Sequence, residues 1–156
     1  MLDEERLCGL LMRRFQRRPN VQVLSYQVVT PSAPMVWTPR EESPGPNEGL
    51  VAVEGCGVCH TDLGFFYDGV PTRHPFPLTL GHEVSGQVVA TGPGTESWMN
   101  QPVIVPAVIP CGTCSACRSG RGTVCPQQVF PGSDLHGGFG THLRVPAHGL
   151  CPVPEL

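Results

Sequence analysis

Charge is scarce in this sequence: Asp, Glu, Lys and Arg together make up 15% of it, and the net charge is −3. Without a basic excess there is no electrostatic footprint for nucleic acid. No apolar run approaches the roughly 18 residues that mark a membrane span. The N-terminus has no apolar stretch of the secretory kind, and Asp3, Glu4 and Glu5 argue against a mitochondrial transit peptide. No internal repeat is present. No Gly-x-Gly-x-x-Gly follows a strand, so nothing here reads as a dinucleotide-binding turn.

What is abundant points elsewhere. Gly (19) and Pro (18) are frequent among the 156 residues, yet 40% of residues are hydrophobic. Both residues weaken helix interiors, and the apolar content is too high for a disordered chain. The composition implies one β-rich domain with many turns. Eight Cys without a secretion signal imply a reducing, cytoplasmic setting and metal or catalytic chemistry rather than disulfides.

Along the chain, residues 1–23 read as an N-terminal extension. Leu2, Leu7, Leu10, Leu11 and Phe15 could share one helical face before Pro19-Asn20. β-type patterning begins with Val21, Val23, Val28 and Val29, and residues 24–156 are expected to form the domain proper. Pro31 to Pro46 reads as loop. Leu50–Val53, Val84–Ala90, Val103–Val105 and Phe139–Val145 read as strands, and Leu78–Leu80 leads into Gly81-His82-Glu83. Thr61–Tyr67 reads as a short helix.

Two constellations carry chemistry. Cys111, Cys114, Cys117 and Cys125 form C-x2-C-x2-C-x7-C inside an apolar-poor lobe, placed at 107–131. Four thiolates at about 2.3 Å describe a closed structural zinc site. In so small a lobe the ion replaces a core, and its binding energy becomes folding energy. A ferredoxin-type cluster is the main competitor, since Pro126 follows Cys125, but the last gap is too long and no second cysteine set exists. A disulfide pair fits a reducing compartment poorly.

The second constellation is Cys56-Gly57-Val58-Cys59-His60-Thr61-Asp62 with Gly81-His82-Glu83. Cys59 and His82 offer the thiolate and imidazole that a catalytic zinc accepts, and Asp62 and Glu83 could orient them. Taken singly each element is weak. A lone His is usually a hydrogen-bonded or surface residue, and Cys56-x-x-Cys59 could be a redox pair, although the βαβ setting of that motif is missing.

Together, Cys-Gly-Val-Cys-His-Thr-Asp-Leu at 56–63, Gly-His-Glu-Val-Ser-Gly-Gln-Val-Val at 81–89 and the four cysteines, in that order, resemble the zinc-containing medium-chain alcohol dehydrogenases. The resemblance runs from about Leu24 to the C-terminus. It implies a mainly β, GroES-like barrel catalytic domain with an inserted structural-zinc lobe, followed in the family by a Rossmann domain that this sequence does not include. Val103–Pro110, Phe130-Pro131-Gly132 and Gly149-Leu150-Cys151-Pro152 look most like the 6-hydroxycyclohex-1-ene-1-carbonyl-CoA dehydrogenases.

By that resemblance, Cys59 and His82 are catalytic-zinc ligands, and Glu83 is an acid beside the metal. Asp62 holds the His82 ring, Thr61 takes the substrate proton and His60 faces the cofactor pyrophosphate. Cys111, Cys114, Cys117 and Cys125 hold the structural zinc. Gly64 stands where familiar members have the histidine that ends the proton relay. The third catalytic-zinc ligand is expected beyond the last residue. The implied activity is NAD(P)-linked oxidation of a small alcohol or a hydroxyacyl-CoA by a homo-oligomer, with this chain alone inactive. The alternative is a non-catalytic, zinc-stabilised binding or assembly module.

Overall fold

A computed structural model of the chain describes residues 20–154. The apolar face expected over Leu2–Phe15 lies outside them. The protein is mainly β, built on two antiparallel sheets. Strands β1 (Val21–Val28), β2 (Val36–Glu42) and β4 (Leu78–Thr79) form one sheet in the order β2-β1-β4. The other has the order β7-β3-β5-β6-β8, from β3 (Glu48–Gly57), β5 (Glu83–Thr91), β6 (Pro102–Val105), β7 (His142–Pro146) and β8 (Cys151–Pro152). Helix α1 (His60–Phe66) follows β3, and the one-turn α2 (Ser115–Arg118) lies in the cysteine lobe.

Period-2 patterning explains the larger sheet. On β5, Val84, Gly86 and Val88 are buried while Glu83, Ser85 and Gln87 are exposed. Val84 and Val88 join Val51, Val103, Val105, Ile109, Leu143 and Val145 in the main core. A second cluster of Val28, Phe65, Leu78 and Leu80 packs α1 beside β4. The two sheets are joined by the segment before β7. Tyr26 N–H donates to the Phe139 carbonyl (2.8 Å), and Thr141 N–H donates to that of Leu24 (2.8 Å). Gly140 passes so close that a Cβ there would lie 2.8 Å from the Leu24 oxygen.

Three sequence expectations shift. Residues 36–42, read as loop, are β2, which among the described residues pairs only with β1 and places Pro39 opposite Leu24. On an edge strand the missing proline N–H breaks no ladder bond. The late strand starts at His142, because Phe139–Thr141 serve the sheet junction instead. The first strand starts at Val21, and the buried Val23 belongs to it, although residues 21–23 were expected in the extension. Among the described residues no helix is long and apolar enough to cross a membrane.

Candidate metal centres

Helix α1 starts at the first centre. Cys59 is its N-cap, and its Sγ accepts the Thr61 N–H (3.3 Å). Asp62, in the first turn, returns a bond through Oδ2 to the Cys59 N–H (3.0 Å). The pattern is a capping box with cysteine in the hydroxyl residue's place. Asp62 Oδ1 accepts the Gly81 N–H (3.0 Å), so one buried carboxylate ties the helix start to the strand connection that carries His82. Gly81 sits at φ +97° with Cys56 and Phe139 against it, a conformation that suits glycine.

These ties bring Cys59 Sγ to 3.0 Å from His82 Nε2. His82 is 4% exposed, and the Phe130 ring meets it edge-on at 4.9 Å. Its Nδ1 faces Asp62 Oδ1 at 3.4 Å but is not aligned for a hydrogen bond, and it finds no other partner among the described residues. The ligand atoms of Cys59, Asp62 and His82 lie within 4.8 Å of one another. Sulfur and nitrogen ligands of a tetrahedral zinc stand roughly 3.6 Å apart, given their usual bond lengths. Thiol and imidazole would therefore separate slightly to admit the ion.

The neighbouring candidates lie further out. His60 and Thr61 are exposed on the first turn of α1. Glu83 is exposed on β5, opposite Gly57, and its carboxylate lies over the space where a Gly57 side chain would be. It does not join the clustered ligand atoms. Cys56 stays apart too. Its thiol points at the Gly57 carbonyl (3.6 Å), and burial pushes it up to about 11. That describes an inert thiol, not a redox partner.

The second centre is the lobe. It leaves and rejoins the barrel where Ile109 and Val129 exchange two backbone hydrogen bonds of 2.8 Å each. The sulfurs of Cys111 and Cys117 are 3.9 Å apart, Cys114 and Cys117 3.5 Å, and Cys114 and Cys125 3.8 Å. Four thiolates tetrahedral about zinc stand roughly 3.8 Å apart, whereas a disulfide closes to about 2.05 Å. Among the described residues every cysteine is a free thiol. Backbone N–H groups of Thr113 and Cys114 bring Cys111 down to about 6, and that of Cys117 lowers Cys114. Desolvation, with the Cys114 and Cys125 sulfurs alongside, pushes Cys117 up to about 12. Four thiolates cannot share this space unless a cation sits among them, which is the demand a divalent ion meets.

Residues 45–155 match the alcohol dehydrogenase GroES-like domain. The chain belongs to that family. The L-threonine 3-dehydrogenase of Stenotrophomonas maltophilia is 38% identical over 116 residues, which are 72% of this chain and 34% of the relative. The alcohol dehydrogenase of Geobacillus stearothermophilus is 36% identical over 118 residues, 73% of this chain and 35% of the relative. A cobalt- and zinc-bound thermostable alcohol dehydrogenase from Pyrobaculum aerophilum superposes with a TM-score of 0.79 at 26% identity, over 86% of this chain and 42% of that one. The chain thus spans about a third of the length of the curated relatives it matches.

Phe130 and the double role of Asp62 had no local signal. Phe130 reaches His82 from a distant loop, and the Asp62–Gly81 bond joins segments far apart in sequence.

Proposed function

We propose that this chain is the catalytic-domain portion of a zinc-dependent alcohol dehydrogenase, with Cys59 and His82 as two ligands of the catalytic zinc. The supporting observation is their approach to 3.0 Å across two elements, with Asp62 buried beside them. When bound, zinc supplies a Lewis acid for the alcohol oxygen, and NAD(P) supplies the hydride acceptor. Asp62 fixes the spacing of Cys59 and His82 through its bonds to the Cys59 and Gly81 amides, and its carboxylate faces the imidazole Nδ1. Thr61, exposed beside Cys59, takes the substrate hydroxyl proton. With Gly64 in place of a relay histidine, the proton leaves through water or another group. His60 contacts the cofactor pyrophosphate. Glu83 stands on the exposed face as an acid able to swing toward the metal. Cys111, Cys114, Cys117 and Cys125 hold a structural zinc.

The substrate class in this reading is a secondary alcohol, including the cyclic hydroxyacyl-CoA type, and the working enzyme is a cytoplasmic homo-oligomer. Hydride transfer needs donor carbon and nicotinamide in near-attack geometry, worth ~7–11 kcal/mol of the barrier. No Gly-x-Gly-x-x-Gly turn follows a strand among the described residues, and in this reading the chain alone is inactive. The test is NADH formation by the purified chain with cyclic alcohols and hydroxyacyl-CoA substrates, then with a Rossmann half added. Turnover by the chain alone that disappears in Cys59→Ala would overturn the inactivity. No turnover with the added half, despite tight association, would overturn the catalytic reading in favour of a zinc-stabilised binding module.

A further inference from the structure

We propose that His136 is a positioning residue for the metal-binding His82, holding the strand that presents it through a side-chain hydrogen bond to the Thr79 backbone. The proposal rests on the reading of Cys59 and His82 as metal ligands. Thr79 is fully buried on β4, only two residues long and paired with β1 at just Gln27–Thr79 and Val28–Leu78. So short a strand does not hold its own register. On its other side runs the segment after Leu135. Gly137 N–H donates to the Thr79 carbonyl (2.7 Å), Phe139 N–H to that of Leu80 (2.9 Å) and Gly138 N–H to that of Gly81 (2.8 Å).

One bond in this set uses a side chain. The Thr79 N–H donates to His136 Nδ1 at 3.2 Å, where a carbonyl would otherwise be needed. Without it a buried amide is left unpaired three residues before His82. Accepting at Nδ1 assigns the neutral ring's proton to Nε2. Burial first, then the charge of Arg40, lowers His136 to about 4 and keeps the ring neutral at neutral pH. Arg40 also reaches the Thr79 hydroxyl (3.5 Å) and the Ser25 hydroxyl, so the strand is gripped at side chain and backbone.

The test uses cobalt(II) with the full chain, followed by its visible absorption, with Cys59→Ser marking which equivalent belongs to the Cys59–His82 site. His136→Ala is expected to weaken that equivalent roughly tenfold while the lobe equivalent is unchanged. His136→Asn, whose carbonyl oxygen can accept the Thr79 N–H, is expected to restore it. Unchanged affinity in the alanine variant, or no rescue by asparagine, would overturn the proposal. If the unaltered chain takes up a single cobalt, the Cys59–His82 reading fails and the proposal fails with it, before any variant is made. Should His136→Ala not fold, nitrogen-15 NMR of the unaltered chain reads the ring directly, and a protonated Nδ1 overturns the proposal.

Discussion

The lobe's four sulfurs all lie between Cys111 and Cys125, on turns that need little from the barrel. The Cys59–His82 pair draws one ligand from the start of a helix and the other from the approach to β5. The first cluster is local, and in the proposed reading its metal would do the work of a core. The second is assembled by tertiary structure, with a buried carboxylate, a strand junction and an aromatic ring around Cys59 and His82, which in the proposed reading would leave coordination positions free. A closed set favours retention of the ion, whereas an open one favours exchange and chemistry.

Removing the lobe metal is the largest way to test this contrast. Structural zinc in small domains binds with an apparent ~10–16 kcal/mol, and that energy is folding energy. Cys114→Ser is expected to lower zinc content by one equivalent and to unfold residues 111–125, while the β3–β5–β6 core keeps its protection. Hydrogen exchange measured by mass spectrometry separates the two regions. Protection retained across the lobe would show that it folds without the ion.

Asp62→Ala comes next. It releases the Cys59 and Gly81 amides together and leaves the His82 ring without its facing carboxylate. Loss of buried hydrogen bonds to a charged acceptor costs about 1.5–3 kcal/mol each. A global destabilisation of ~3 kcal/mol is expected in urea, together with loss of metal binding at the Cys59–His82 site. If that metal stays bound, Asp62 is a helix cap only.

Cys59→Ser should have a smaller effect on stability, about 1 kcal/mol or less, because only a half-buried thiol at a helix N-cap changes. Its expected signature is selective: metal binding at the Cys59–His82 site is lost and the lobe metal stays. Loss of both metals would show that the sites are coupled.

This contrast also shows what was legible in the sequence. The lobe could be read from spacing alone, since its ligands are near neighbours. The strands with strict alternation, above all β5, could be read from their period. Edge strand β2 was hidden because Pro39 counts against a strand until its neighbours are known. The resemblance assigned Asp62 to His82, but the hold on Gly81 exists only after the chain returns past it. Phe130 and His136 act across long loops, and no spacing rule reaches them.

The smallest expected effect is a pH dependence at the seam between the sheets. His136 lies among Arg40, Arg144, His74 and Glu42, and its value falls from 6.5 to about 4 in the folded protein. Burial is the first cause, and the guanidinium of Arg40 is the second. A histidine whose folded value is depressed binds fewer protons in the native state than in the unfolded one. Stability is therefore complete above pH 6.5, declines as pH falls through the window down to about 4, and is flat for this group below that. Because the ring is partly exposed, solvent screening reduces the full linkage value, and ~1–2 kcal/mol across the window is expected. Urea titrations at pH 7 and pH 4.5 should show this loss in the unaltered chain, on top of a carboxylate background shared by all variants. His136→Asn keeps the Thr79 bond but cannot titrate, so it should lose less stability between those two pH values. An equal loss in both proteins would mean that His136 is charged or free in the folded chain, and that Thr79 is held by its backbone neighbours alone.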